Sequence, residues 1–167
     1  SMIIDESDGE ISSLQRALDL GYRGTSHKNC KGVFKGIANA CKIQLNRQTK
    51  DGEWILSGED LANVGPVALL NDLTVMSSLG VNHVERNGHH YFAGLSVYPK
   101  DLQRKICLAH PDLYSFGQLD FPSLVINNGK IYLDSLTKSA FGCGLELDEE
   151  NIKILGASGM VSENWKS

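Results

Sequence analysis

The densest run of chemically capable side chains lies in Gly24–Gly36, GTSHKNCKGVFKG. His27, Lys28, Cys30, Lys31 and Lys35 stand there among three glycines, with Lys42 just beyond. Three chemistries suit such residues. Glycines ahead of a helix start can hold a phosphate on backbone N–H groups. Histidine and cysteine favour a transition metal. A lysine can move a proton if burial or a neighbouring cation depresses its pKa. The phosphate reading lacks its usual signature: neither G-x-x-x-x-G-K-[ST] nor G-x-G-x-x-G after a strand occurs. A metal set of His27, Cys30, His89 and His90 is irregularly spaced, and adjacent His89 and His90 point opposite ways on an extended segment. One of the pair, taken here as His89, is left as a pocket candidate.

Further charged groups sit at similar intervals. Asp5 lies in DESD, Glu59 and Asp60 in SGED, and Glu85 and Arg86 in ERNGHH. The elements that must position them follow from periodicity. MIID reads as a buried strand ending at Asp5, and EISSLQRALDLGY as a short amphipathic helix stopped by Gly21. YRGTSHK is a weak strand, and Val33 to about Leu45 is helical in period. WILS is a strand, and GPVALLNDLTVMSSLG is the strongest helix, with Pro66 in its first turn and Gly80 at its stop. VNHVE is a strand, and PKDLQRKICLAHP a helix with a proline start. Strand and helix thus alternate four times, which predicts a parallel sheet with right-handed crossovers. From Phe121, SLVINNGKIYLD predicts two short strands joined by Asn-Asn-Gly, a hairpin signal.

In such a sheet the carboxyl ends of the strands gather the functional groups. DESD, SHKN, SGED and ERNGHH are all strand ends, so the four polar clusters are expected on one edge. Lys31 and Lys35 read as solvated charges at a helix start, and His27, alternating with Lys28, as packed away from it.

The composition bounds the rest. The chain has 167 residues, 41% hydrophobic and 22% charged, which is ordinary for a folded domain. A net charge of −4 argues against general nucleic-acid binding. No apolar run is long enough for a bilayer and no signal peptide opens the chain, so neither membrane association nor export is expected. Ser1–Met2 is set aside as unrelated to the fold. Four scattered cysteines without a C-x-x-C pair argue against a zinc ribbon and read as free thiols in the cytoplasm.

Taken in order, the motifs resemble the enolase superfamily, in its mandelate-racemase and muconate-lactonising branch. IIDESDG is similar to the end of the fifth barrel strand, SHKNCKGV to the sixth, and LSGEDLANVGPVALLNDLTVMSSLG to the seventh strand with its helix. HVERNG is similar to the end of the eighth, and NGKIYLDSLTKSAFGCGLELDEE to the glycine-bearing tail, including Gly142 and Gly144. The resemblance implies the C-terminal half of a TIM-type (β/α) barrel, strands 5–8, with a short β tail. It divides the chain into a partial barrel of four βα units over 3–120 and a tail with a β-hairpin over 121–167, returning toward a capping domain that is absent. It implies a magnesium-assisted abstraction of the proton next to a small-molecule carboxylate, as in a racemase, dehydratase or cycloisomerase. Asp5 takes the place of a Mg²⁺ ligand and Lys28 that of the base. Glu59, Glu85 and His89 take places where substrate is held or protons are moved.

The resemblance begins at the fifth strand. The second-strand lysines and the other two metal carboxylates of the family have no counterpart here, and SAFGCG lacks the proline of the family tail. The half-barrel is therefore expected to be inactive alone, to hold Mg²⁺ weakly or not at all, and to pair its open edges in a homo-oligomer. The alternative is a non-enzymatic or phosphate- or nucleotide-binding α/β module.

Overall fold

The fold is taken from a computed structural model, which describes residues 1–59, 63, 65–86, 88, 91–146, 149–150 and 153. It is an α/β chain that divides into two compact units. The first comprises Ser1–Asn63 and Asn71–Gly88, the second Val64–Leu70 and His89–Ser167.

In the first unit, helix α1 (Ser13–Asp19) leads to strand β1 (Gly24–His27), and helix α2 (Val33–Thr49) to strand β2 (Ile55–Glu59). Helix α3 (Ala68–Ser78), whose first residues fall in the second unit, leads to strand β3 (Val84–Glu85). The three strands are parallel in the order β1-β2-β3. Ile4 adds a parallel bridge to Thr25 on the free side of β1. Four extended segments therefore lie side by side in chain order.

Register assigns the faces. Thr25 pairs with Leu56, and His27 with Gly58, which pairs with Val84. Because side chains alternate along a strand, these residues share one face. Leu14 of α1, Ile43 of α2 and Met76 of α3 all pack with Leu56 and Trp54 in one core cluster, with Val84 against it. All three helices thus cover the same side of the sheet. Full burial of a side chain such as Ile43 contributes roughly 2–3 kcal/mol. Along α2 the buried positions are Gly36, Asn39, Ile43 and Asn46, a helical spacing that turns one stripe inward. The opposite face of the sheet carries Ser26 and Ser57 in register, and beyond them Glu59 beside Glu85.

Two helix ends form as their glycines require. Gly21 has φ 93, with Tyr22 N–H bonded to the Ala17 carbonyl and Gly21 N–H to that of Leu18. Gly80 has φ 68 and repeats the pattern through Val81 to Met76 and Gly80 to Ser77. Both are Schellman ends, which need a residue free to adopt positive φ. Pro66 differs from expectation. It precedes α3 rather than entering its first turn, and follows a cis peptide bond from Gly65.

The second unit holds helix α4 (Lys100–Ala109), with Pro99 just before its start as the sequence indicates. It also holds strands β4 (Tyr114–Ser115) and β5 (Ser123–Leu124), and helix α5 (Asp134–Thr137). The tail hairpin is corrected here. Asn128 and Gly129 both have positive φ, as a tight two-residue turn demands, but only Asn127 and Lys130 pair across it. The upstream strand β5 pairs instead with β4, antiparallel. Leu95, Leu102, Ile106, Leu113 and Leu136 are buried in this unit. The four cysteines are free thiols. Among the described residues no helix is long and apolar enough to cross a membrane.

Candidate active site

The strand ends meet at Lys28. The residue follows β1 in an extended conformation, one position beyond His27, and so turns to the face opposite the helices. Its side chain is 2% exposed and its ammonium contacts three carboxylates: Glu59 at 3.0 Å, Asp5 at 3.2 Å, and Glu6. Glu59 ends β2, while Asp5 and Glu6 follow the Ile4 bridge, so each comes from a strand flanking β1. Their exposures differ widely: 13% for Glu59, 46% for Asp5 and 80% for Glu6.

A second lysine joins the cluster because of the local backbone. Asn29–Lys31 forms a single 3₁₀ turn, closed by Lys31 N–H to the Lys28 carbonyl at 3.0 Å. In that turn side chains three apart eclipse one another, so Lys28 and Lys31 lie on the same side. Lys31 donates to the Asp5 carbonyl at 2.8 Å and sits 3.5 Å from Glu6 and 3.7 Å from the Asp5 carboxylate. Lys35 pairs with Asp8 at 3.1 Å. The expectation that Lys31 and Lys35 are solvated is therefore corrected: their side chains are 14% and 10% exposed, each against a carboxylate.

The electrostatics of Lys28 follow from this. Burial alone would lower its pKa, but hydrogen bonds to Glu6, Glu59 and Asp5 outweigh burial and hold it above the usual lysine range. Lys28 rests as an ammonium. The depressed pKa that a resting base requires is not what these neighbours produce. Glu6 is held below the ordinary carboxylate range, first by its hydrogen bond to Lys28 and then by the charge of Lys31.

Asp5 is the carboxylate that the resemblance assigns to magnesium. Its Oδ1 faces both Lys28 and Lys31. Among the described residues no three His, Cys, Asp or Glu side chains converge to hold a metal ion. One carboxylate facing two ammonium groups does not fit a hard dication that needs several oxygen ligands.

The other candidates separate. Glu85 stands in register beside Glu59 and is exposed. Arg86 donates to the backbone carbonyl of Asn63 at 3.5 Å. Asp60, His89 and His90 lie outside the described residues. His27 is 3% exposed and packs toward α2, away from Lys28. Its Nε2 meets Asn29 Oδ1 at 2.8 Å, and Asn29 Nδ2 donates to Asp72 at 2.6 Å. Because a carboxylate only accepts, Asn29 must turn its oxygen to His27, which fixes His27 Nε2 as the protonated nitrogen. Burial, the largest influence, pushes the His27 pKa down and that of Asp72 up.

Two buried groups escaped sequence reading. Asp8 is 1% exposed and accepts from Thr25 at 2.8 Å and Asn39 at 2.9 Å, tying the first loop to β1 and α2. DESD gave no sign of which acid would turn inward, since that depends on the helical face carrying Lys35 and Asn39. In the second unit, His110 is fully buried, with Nδ1 2.9 Å from Ser135 Oγ and Nε2 accepting from Gly144 N–H at 2.9 Å. Asp112 accepts from the Ser135 backbone at 2.9 Å and from its hydroxyl. The residue types are those of a nucleophilic triad, but the protons run the wrong way. An accepting Nε2 leaves the proton on Nδ1, so His110 donates to Ser135 and cannot deprotonate it. The set is a tether for the tail.

Fold and site together define an α/β chain whose parallel sheet carries a lysine–carboxylate cluster at its carboxyl edge. No protein-family model, no curated protein and no solved structure matches it.

Proposed function

We propose that the four parallel segments belong to the C-terminal half of an enolase-type barrel, and that the cluster moves the proton next to the carboxylate of a small-molecule substrate. The observation that carries this reading is Lys28, buried at the end of β1 among carboxylates from both neighbouring strands. Two features support it. The strands are adjacent in chain order, and α1, α2 and α3 contribute to one core on a single face, as in a singly wound barrel and unlike a doubly wound sheet. The polar face of Ser26, Ser57 and Glu59 then lines the inside.

The chemistry follows from charge states. Loss of a proton beside a carboxylate builds negative charge on its oxygens, and the Lys28 ammonium sits where it can offset that charge. Glu59, 3.0 Å away and little exposed, is the carboxylate placed to accept the proton, and Lys28 then holds one to return. Asp5 keeps the ammonium in place. No step depends on a metal ion.

Solvent deuterium incorporation at the α-carbon of a panel of carboxylates tests the reading. In place of the inactivity expected from the missing family ligands, exchange is expected in the wild-type chain, falling roughly 10²- to 10⁴-fold in Lys28→Ala and Glu59→Gln. An intact protein that exchanges none of the panel would sink the proposal.

A further inference from the structure

We propose that Lys28 and Lys31 form a binding subsite for a substrate carboxylate, and that Glu6 fills this subsite as an internal, displaceable ligand. The inference deepens the reading above, because the carboxylate so held is the one whose neighbouring carbon exchanges its proton.

The Glu6 carboxylate straddles the two lysines, Oε1 on Lys28 and Oε2 3.5 Å from Lys31. It does so from a side chain that is 80% exposed, on the loop after the Ile4 bridge. Exposed ion pairs contribute little to stability, so Glu6 is easily replaced. Its two partners are not free to follow it. Lys28 stays fixed by Glu59 at 3.0 Å and Asp5 at 3.2 Å, and Lys31 by the Asp5 carbonyl at 2.8 Å. An ammonium has three N–H donors. Glu59 and Asp5 hold Lys28 as ion partners, while its hydrogen bond goes to Glu6, so displacing Glu6 frees that donor for an incoming oxygen and Lys31 offers another alongside.

Charge selects the ligand. Once Glu6 swings out, the two lysine charges are balanced by Asp5 and Glu59. The arriving anion then takes the place of one carboxylate and should carry one negative charge. A dianionic phosphate would be repelled by Asp5 and Glu59 from the same pocket. Lys31 thereby becomes a specificity residue, a role its sequence position gave no reason to expect.

Titration of the protein with lactate, followed by NMR of the lysine side-chain Cε and Nζ resonances, tests the subsite. Lactamide and inorganic phosphate serve as controls. Glu6→Gln removes the internal competitor at an exposed position and is expected to bind lactate roughly fivefold more tightly. Lys31→Met is expected to bind it at least about tenfold more weakly. Lactamide should not bind, and phosphate should bind more weakly than lactate. Unchanged or weaker lactate binding in Glu6→Gln, undiminished binding in Lys31→Met, or no binding to any of these proteins overturns the subsite. So does phosphate binding more tightly than lactate. The two readings fail separately. Tighter binding in Glu6→Gln without α-proton exchange removes the enolisation chemistry and keeps the subsite; exchange with unaltered lactate affinity does the reverse.

Discussion

Lys28 and Glu59 end adjacent parallel strands and meet at 3.0 Å, the lysine 2% and the glutamate 13% exposed. Of the three carboxylates around the ammonium, Glu59 is the most buried, so its attraction is the least screened by water. Replacing it by glutamine leaves a buried cation short of a partner. Glu59→Gln is expected to lower the Lys28 pKa and to destabilise the fold by about 2 kcal/mol. NMR titration of the Lys28 Nζ and denaturant unfolding read the two effects. Glu6→Gln, at an exposed site, is expected to leave stability unchanged. Equal losses in both variants would show that burial does not rank these partners.

Asp8 is the buried anion on the other side of the sheet. It binds Lys35, Thr25 and Asn39, linking the first loop, β1 and α2. Asp8→Asn removes the charge that Lys35 neutralises and turns a donor toward Thr25 or Asn39. A loss of about 3 kcal/mol is expected in urea unfolding. A loss below about 1 kcal/mol would mean that Lys35 finds water instead.

These two acids show what the sequence could and could not convey. The alternation of apolar runs and helical periods located β1, β2, β3 and the helices between them, because burial against a sheet leaves a pattern in the chain. It also placed Asp5, Lys28, Glu59 and Glu85 at strand ends on one edge, since parallel strands all end on the same side. The pairing of charges was illegible. Lys31 comes under Glu6 through a 3₁₀ turn, and Lys35 reaches Asp8 from the first turn of α2. Both depend on a few backbone angles that composition does not encode. The tail strands were misjudged for a similar reason. Asn128-Gly129 marked a true turn, but β5 found its partner in β4 rather than across that turn.

His110 makes stability depend on pH. Burial pushes its pKa below the ordinary 6.5, and Nε2 must stay unprotonated to accept from Gly144. Below pH 6.5 the unfolded chain gains a proton that the folded chain refuses, so the unfolded state binds more protons and stability rises with pH. The contribution is therefore complete above pH 6.5 and is lost as the pH falls through the folded value. His27, also shifted down by burial, acts in the same direction. The melting temperature is expected to fall between pH 7 and pH 5, and imidazole ¹⁵N shifts to report a neutral His110 protonated at Nδ1. A His110 that titrates near 6.5 in the folded protein would refute the tether.

Gly36 offers a substitution whose sign discriminates. It sits in the interior of α2, where exchanging glycine for alanine ordinarily stabilises a helix by about 1 kcal/mol. Here a Cβ would run into Cε1 and Nδ1 of the His27 ring. The ring cannot simply move aside, because its Nε2 is bonded to Asn29, which in turn is bonded to Asp72. Overpacking of this kind costs about 1–3 kcal/mol, enough to cancel or exceed the propensity gain. Gly36→Ala is expected to lower the melting temperature, and the double variant Gly36→Ala with His27→Ala to recover the part due to the clash. A single variant more stable than the wild type would mean that α2 lies farther from β1 than the His27 contact requires.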